Sequence, residues 1–433
     1  MNYRIITAII CAAAVLSALA YERVELRLEN SEIYPETTHD IIVTIPDGYI
    51  SGNPAAVYIG LDGILCNAPS VIDSLSAAGA MPPAIGIFIQ PGVVRDSTGT
   101  VLRYNRSNEF DSTDGRFAHF LESEIFPAVD SLKLPGNRFL KLTDNPDERM
   151  IFGLSSGGIA AFTSAWNRPD LFRRVFCGCG TFVPMRGGHE LQVLVRKTEP
   201  KPIRIFLEDG YSDAWNPLFG SWFEANTLLA SALRFAGYDC DVDWHEGGHS
   251  VSGAARIFKD VMKWMWRDYP QPITKGTTSN DMLAPLLDEA SEWENAEELP
   301  LKGSPKAIYP DSALIAEPIP GSNWLSQTLL DSQGHRHASQ QFYWLHSPEN
   351  RLLKIGGMAF DGNGNLWVVT DAGLQICDQN GRVRAILIMP HDIDVTRCGI
   401  VINDKNVRID RYSRRLNVTP PKSGIKPASQ GQA

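Results

Sequence analysis

The run Arg149-Met150-Ile151-Phe152-Gly153-Leu154-Ser155-Ser156-Gly157-Gly158 joins an apolar segment to a cluster of small residues. Met150, Ile151 and Phe152 suit a buried strand, and residues 159–166 (I-A-A-F-T-S-A-W) begin a helix. Between them Gly153, Ser155 and Gly157 spell G-x-S-x-G. Small residues in that order are common by chance. Flanked by a strand and a helix, they describe a nucleophile elbow, a sharp turn that lifts a serine hydroxyl clear of the backbone. The glycines leave room where strand and helix pack closely. Ser155 is therefore the candidate nucleophile, and the Ser156 N–H points at whatever Ser155 attacks.

Around this stretch the chain alternates short apolar segments with amphipathic ones. Strands are predicted within residues 21–45, over 55–60 and 83–90, and later over 174–178, 203–207 and 240–244. Helices are predicted over 71–78, 117–132, 223–235 and 251–266. That alternation implies an α/β fold with a mostly parallel central sheet covered on both faces. Functional residues of such sheets gather beyond the carboxyl ends of the strands. Ser155, the loop of residues 209–213 and the loop at His249 all fall there.

Two later segments complete a constellation. After I-R-I-F-L comes E-D-G-Y-S-D, Glu208 to Asp213; after C-D-V-D-W comes H-E-G-G-H-S, His245 to Ser250. The order Ser, Asp, His is that of the α/β-hydrolase fold. A serine hydroxyl is a poor nucleophile at neutral pH, so an imidazole must take its proton and a carboxylate must fix the tautomer. His249 is the candidate base, with His245 the alternative. Asp213 is the candidate acid, with Asp209 the alternative, which otherwise caps a turn or supports the histidine loop. The second oxyanion donor belongs to a backbone amide of Leu61-Asp62-Gly63, so Asp62 and Gly63 join Ser156 there. Arg106 is a candidate substrate-binding residue, weighed against an internal Arg–Glu pair with Glu109. Trp215 and Trp222 follow the acid loop and either stack on a substrate ring or pack beneath the loop.

Residues 40–269 resemble the "Putative esterase" family of α/β-hydrolases. The matching pieces are L-D-G at Leu61 to Gly63, R-Y-N-R-S-N-E-F-D at Arg103 to Asp111, G-L-S-S-G-G, D-G-Y-S-D, and G-G-H at Gly247 to His249. That family holds enterochelin-esterase-like proteins, esterase D, and carbohydrate esterases that remove feruloyl or acetyl groups. The resemblance implies Ser155 as nucleophile, Asp213 as acid and His249 as base, with no metal and no cofactor. The implied substrate is a small-molecule or carbohydrate ester, either feruloyl or acetyl, or a siderophore such as enterochelin.

The net charge of −10 gives no basic footprint for nucleic acid. Residues 1–20 read as a cleaved secretory signal peptide. Arg4 precedes an apolar run, and Ala18-Leu19-Ala20 is an A-x-A site before Tyr21. A secreted or periplasmic protein without a stable membrane anchor follows. Seven cysteines occur, one of them (Cys11) inside that run. Cys66, Cys177, Cys179 and Cys240 read as buried thiols, with a bridge considered only for Cys377 and Cys398.

The expected organisation is a hydrolase domain over 21–270, a polar linker over 271–302, a smaller all-β region over 303–419 and a disordered tail over 420–433. Short strands with Asp/Gly turns (D-S-Q-G, D-G-N-G-N, D-Q-N-G) mark the all-β region. Its stretch from Gly356 to Val383 resembles part of a gluconolactonase-like propeller, truncated here to about three blades at four strands each. In that resemblance Glu317 and Gly356 stand where metal-binding aspartates are expected. The expectation is thus an exported serine carboxylic-ester hydrolase. The alternatives are a metal-dependent sugar lactonase and a non-catalytic carbohydrate-binding protein.

Overall fold

The computed structural model describes residues 6–9, 21–288, 291–309, 313–348 and 351–421. The expected signal peptide lies outside the described residues apart from Ile6–Ile9, a strand paired with Tyr21–Glu29. All but the first two residues of the expected tail lie outside them as well. Among the described residues no helix is long and apolar enough to cross a membrane. The chain divides into two compact units, Met1–Gln192 with Pro200–Gly276, and Val193–Glu199 with Thr277–Ala433.

The first unit is built on one eleven-stranded sheet. Its main path runs Ile6–Ile9, Tyr21–Glu29, Thr38–Pro46, Ala84–Ile89, Ala56–Leu61, Arg149–Leu154, Arg174–Gly178, Arg204–Gly210, Asp239–His245. Pairing is antiparallel up to Ala84–Ile89 and parallel from there to the last strand. All six residues of Ala56–Leu61, Ala84–Ile89 and Arg149–Leu154 are buried, as expected of strands covered on both faces. The chain leaves Ala56–Leu61 toward Ala84–Ile89 on one side, while Arg149–Leu154 pairs with it on the other. That reversal of order opens a crevice at the strand ends. The register Phe152↔Gly60 brings the loops after both strands, those of Asp62 and Ser155, to one level.

Helices Ala68–Ala77 and Val251–Trp266 cover one face. Ile72 and Leu75 of the first and Phe258, Met262 and Trp266 of the second pack on Tyr58, Phe88, Phe152 and Phe176. Phe152 and Phe176 stack at 4.8 Å between ring centroids. Each such ring, buried, contributes about 1.5–3 kcal/mol. The helix expected over 117–132 is interrupted: Arg116–Phe120 and Phe126–Asp130 flank a π-helical turn, Leu121–Ile125. Pro127 follows that turn and has no N–H to continue the regular ladder. Between Ala84–Ile89 and Arg116–Phe120 lies a hairpin, Val93–Arg95 with Val101–Tyr104.

The second unit is all-β apart from short helical turns and the segment 193–199. Two four-stranded antiparallel sheets follow in sequence. The first comprises Ala307–Ile308, Leu314–Pro318, Trp324–Leu330 and Arg336–Trp344. The second comprises Ile355–Phe360, Leu366–Thr370, Gly373–Cys377 and Val383–Leu387. A three-stranded sheet joins Glu294–Leu299, Asn406–Arg415 and Ile400–Asn403. Residues 277–302, expected as linker, thus fall within this unit, and Glu294–Leu299 is a strand held by Asn406–Arg415. Trp367, Leu374 and Leu387 share one core with Val407, Ile409 and Leu416. Arg414 and Glu199 form a buried bidentate pair at 2.7 and 2.8 Å. Glu317 is bonded bidentately by Arg336. Cys377 and Cys398 are buried free thiols, so the bridge considered for them does not form.

Candidate active site

Ser155 sits between strand Arg149–Leu154 and helix Ser156–Asn167 with φ 57° and ψ −121°. A non-glycine residue at such a φ carries about 1–3 kcal/mol of strain. Backbone bonds hold it there. Ser155 N–H donates to Gly178 O at 3.0 Å, and Ser155 O accepts from Gly158 N at 2.9 Å and Thr181 N at 3.1 Å. Contact rather than dihedral requires the glycine at 153 and leaves little room at 157. A Cβ on Gly153 would stand 2.2 Å from Gly157 O, and one on Gly157 would stand 3.1 Å from Asp62 Oδ2.

The structure brings Ser155, His249 and Asp213 into one hydrogen-bonded chain. Ser155 Oγ lies 2.8 Å from His249 Nε2, and His249 Nδ1 lies 2.6 Å from Asp213 Oδ1. The Asp213 side chain is fully buried and the imidazole about one-third exposed. With the carboxylate ionised, Nδ1 carries the proton and Nε2 accepts from the serine. Burial alone would push the Asp213 carboxyl up. Hydrogen bonds from His249, from Asp209 and from the Ala214 amide outweigh it, and the group is lowered. Glycines again allow the approach: a Cβ on Gly210 would stand 2.3 Å from Gly247 O. Ser212 N–H donates to Gly247 O at 2.8 Å and Tyr211 N–H to His245 O at 2.9 Å, tying the acid loop to the histidine loop.

The alternatives lie elsewhere. His245 ends its strand with Nε2 at 2.5 Å from Glu208 Oε1, a mostly buried pair that does not include Ser155. Asp209 is fully buried at the end of its strand and accepts from Gly210 N and from Asn226 Nδ2.

Two further expectations are corrected. The Gly63 N–H donates to Ile89 O at 3.2 Å, so it is committed inside the fold and leaves the Asp62 amide as the candidate donor opposite Ser156. Ser156 begins the helix, where the first amides have no intrahelical acceptor. Arg106 pairs with Asp62, not Glu109: Nε reaches Oδ1 at 2.7 Å and Nη2 reaches Oδ2 at 2.8 Å. Its guanidinium thereby anchors the Asp62 loop instead of standing free for a substrate. Glu109 faces His39 at 3.1 Å, both side chains wholly buried, and accepts from Asn105.

The aromatics also divide. Trp215 is 71% exposed in the small hairpin Trp215–Asn216 with Gly220–Ser221. Trp222 is buried, meets the His249 ring edge-on at 6.2 Å and donates Nε1–H to Thr181 Oγ1 at 3.2 Å. Thr181 Oγ1 lies 3.4 Å from Ser155 Oγ. Thr181 escaped sequence reasoning, because no motif marks a residue that reaches the serine from the end of a neighbouring strand.

A mostly parallel sheet, a serine on a strand-to-helix elbow, and an acid and histidine after later strands define the α/β-hydrolase class. The chain belongs to the family described as "Putative esterase", which matches residues 34–286, more than half its length. It is 25% identical over 222 residues to the iron(III) enterobactin esterase of Dickeya dadantii (strain 3937). That match covers 48% of this chain and 46% of the relative, so the chain spans about half the length of the curated relative it matches. Among solved structures it is similar to the enterobactin esterase of Shigella flexneri, at 19% identity, TM-score 0.42, over 58% of this chain and 60% of that one. A ferulic acid esterase is similar at 16% identity and TM-score 0.43, over 57% and 98% of the two chains.

Proposed function

We propose that the protein is an exported serine carboxylic-ester hydrolase. The observation that carries this is the continuous chain from the elbow serine through His249 to buried Asp213, at 2.8 and 2.6 Å. His249 Nε2 takes the Ser155 proton as Oγ bonds to the ester carbonyl carbon. The Ser156 and Asp62 amides then face the oxyanion. As the tetrahedral intermediate collapses, the carbon–alkoxy bond breaks and His249 returns the proton to the leaving alcohol. The acyl group remains on Ser155 Oγ. Water, deprotonated by His249, attacks that acyl-enzyme and releases the acid and the free serine. Export rests on the A-x-A site at Ala18 to Ala20.

The substrate class follows from family membership together with the named relative: a feruloyl or acetyl ester of a carbohydrate, or a siderophore ester. The test is a panel of p-nitrophenyl, feruloyl, acetyl-sugar and catecholate-siderophore esters, with a serine-directed phosphonate. Turnover and a single label on Ser155 are expected. Absence of turnover on all of them, with no label, would overturn the reading. We read the two consecutive four-stranded sheets of the second unit as blades of a partial propeller.

Thr181 supplies a graded check. Its oxygen accepts from Trp222, so its own O–H is available to Ser155 Oγ, which leaves the serine proton to His249. Thr181→Val keeps the shape and removes that bond, and should lower kcat by about threefold to tenfold with little change in KM. Steady-state kinetics on the best ester of the panel measures this; an unchanged kcat would assign Thr181 to packing alone.

A further inference from the structure

Two buried carboxyl groups meet behind His249, and only one belongs to the catalytic chain. The Asp213 N–H donates to Gly210 O at 3.0 Å, a tight turn that returns Asp213 to the strand end where Asp209 lies, and each carboxyl bears on the other's titration. Both are fully buried. Asp213 Oδ1 accepts from His249 Nδ1 and from the Ala214 amide. Its Oδ2 is buried and, among the described residues, receives no proton from any group that carries one by default. Asp209 Oδ1 accepts from Gly210 N at 2.8 Å and Oδ2 from Asn226 Nδ2 at 2.9 Å. The same Asn226 nitrogen faces Gly180 O at 2.9 Å and Trp222 O at 3.0 Å. Two carbonyls require a donor there, which fixes the amide's orientation, and its two protons are shared among three acceptors, Asp209 Oδ2 included.

Among the described residues the charged groups that act on Asp209 are acidic, while the His249 imidazole is bonded to Asp213. Asp213 faces it from the following loop, Glu208 precedes it on the strand, and the Cys179 thiol lies at the end of the adjacent strand. Helix Trp222–Phe235 presents an amide and a carbonyl but no charge. Two carboxylates so close and so buried cannot both ionise.

We propose that Asp209 is held as a neutral carboxylic acid whose O–H donates to Asp213 Oδ2, making it the positioning residue for the triad acid. This rests on reading Asp213 as that acid. The proton fills the one unpartnered oxygen of Asp213. It also leaves a single negative charge behind the imidazole, and that charge sits on the residue bonded to Nδ1. The titration directions agree. Burial, the bond to Asp213 and its charge push the Asp209 carboxyl well up, while Asp213 is lowered.

The tests combine turnover with two measurements that need none. Asp209→Asn keeps a donor toward Asp213 at the loss of one bond that Asp209 accepts, and should retain kcat/KM within about threefold, whereas Asp209→Ala should lower kcat by about tenfold or more. In the parent protein, the ¹³C resonance of the Asp209 carboxyl, assigned by its absence in Asp209→Asn, should stay at the protonated shift from about pH 5 to about pH 8. The melting temperature gives a third readout. The folded chain keeps a proton that the unfolded chain loses above about pH 4, so the parent's stability falls as pH rises across that window. Asp209→Asn lacks this slope, and its melting temperature should gain on the parent's as pH rises. An Asp209 carboxyl that titrates near about 4, or a gap in melting temperature that is flat with pH, would overturn the proposal even if the alanine variant fails to fold. Loss of activity in Asp209→Asn by about 10³-fold would instead make Asp209 the ionised triad acid. The carboxyl titration and the melting curves remain readable if Ser155 proves not to be the nucleophile, so the two failures are distinguishable.

Discussion

Ser155→Ala should abolish ester hydrolysis, lowering kcat by about 10⁴-fold or more, and His249→Ala should cost about as much. The size follows from the unit they form. Without Oγ no acyl-enzyme is possible, and without the imidazole the hydroxyl stays protonated. Combining the two changes should add little to either, because each alone already removes the covalent route. Folding should survive. Ser155 Oγ is bonded to His249 and Thr181 only through its hydroxyl, while the turn is held by backbone bonds to Gly178, Gly158 and Thr181. Thermal melting within about 1 kcal/mol of the parent is expected for the serine variant. Near-normal turnover by folded Ser155→Ala, on every ester the parent cleaves, would sink the proposed function.

The elbow was legible because several local constraints coincide in ten residues. An apolar run that suits a buried strand leads into Gly153, where a side chain would meet Gly157 O. Choosing His249 over His245 was harder, since both follow the last strand expected from sequence, residues 240–244. The pairing of Glu208 with Asp243 in the sheet register fixes where the neighbouring strand ends lie, and His245 turns to the buried Glu208 carboxylate. Asp209 and Asp213 differ in the same way: one still belongs to the strand, the other lies in the loop beyond it. Sequence spacing does not say where a strand stops to within four residues.

Side-chain pairs between distant segments were the least legible. Asp62 sits 44 residues before Arg106, and the nearer Glu109 is an equally plausible partner by charge alone. Only the sheet order, which sets the Asp62 loop beside the elbow, separates them. The second unit shows the limit of composition. E-N-A-E-E-L, residues 294–299, is charged enough to look like a linker, yet it pairs as a strand with Asn406–Arg415. Residues 193–199 belong to that unit although they interrupt the first, and Glu199 meets Arg414 across 215 positions. No local pattern encodes such a return.

Asp213→Asn should lower kcat by about 10³-fold, with KM changed far less. Loss of the charge partner for a triad histidine can reach about 10⁴-fold when nothing replaces it. Here something can. The Ala214 amide should keep the asparagine oxygen where Oδ1 now lies, which turns the new NH₂ toward Asp209. Asp209 then faces a donor instead of a carboxylate, and two of the four causes that raise it disappear: the bond to the Asp213 carboxylate and that group's charge. Burial remains, but ionisation becomes easier, and a negative charge returns one residue further from the imidazole. Part of the lost activity should therefore reappear as pH rises, and Asp209→Asn placed on top of Asp213→Asn should remove that recovery. A pH–rate profile of the single and double variants on one ester decides it. If Asp213→Asn stays within about threefold of the parent while Asp209→Asn is crippled, the acid is Asp209 and the serine mechanism stands with its carboxylates exchanged.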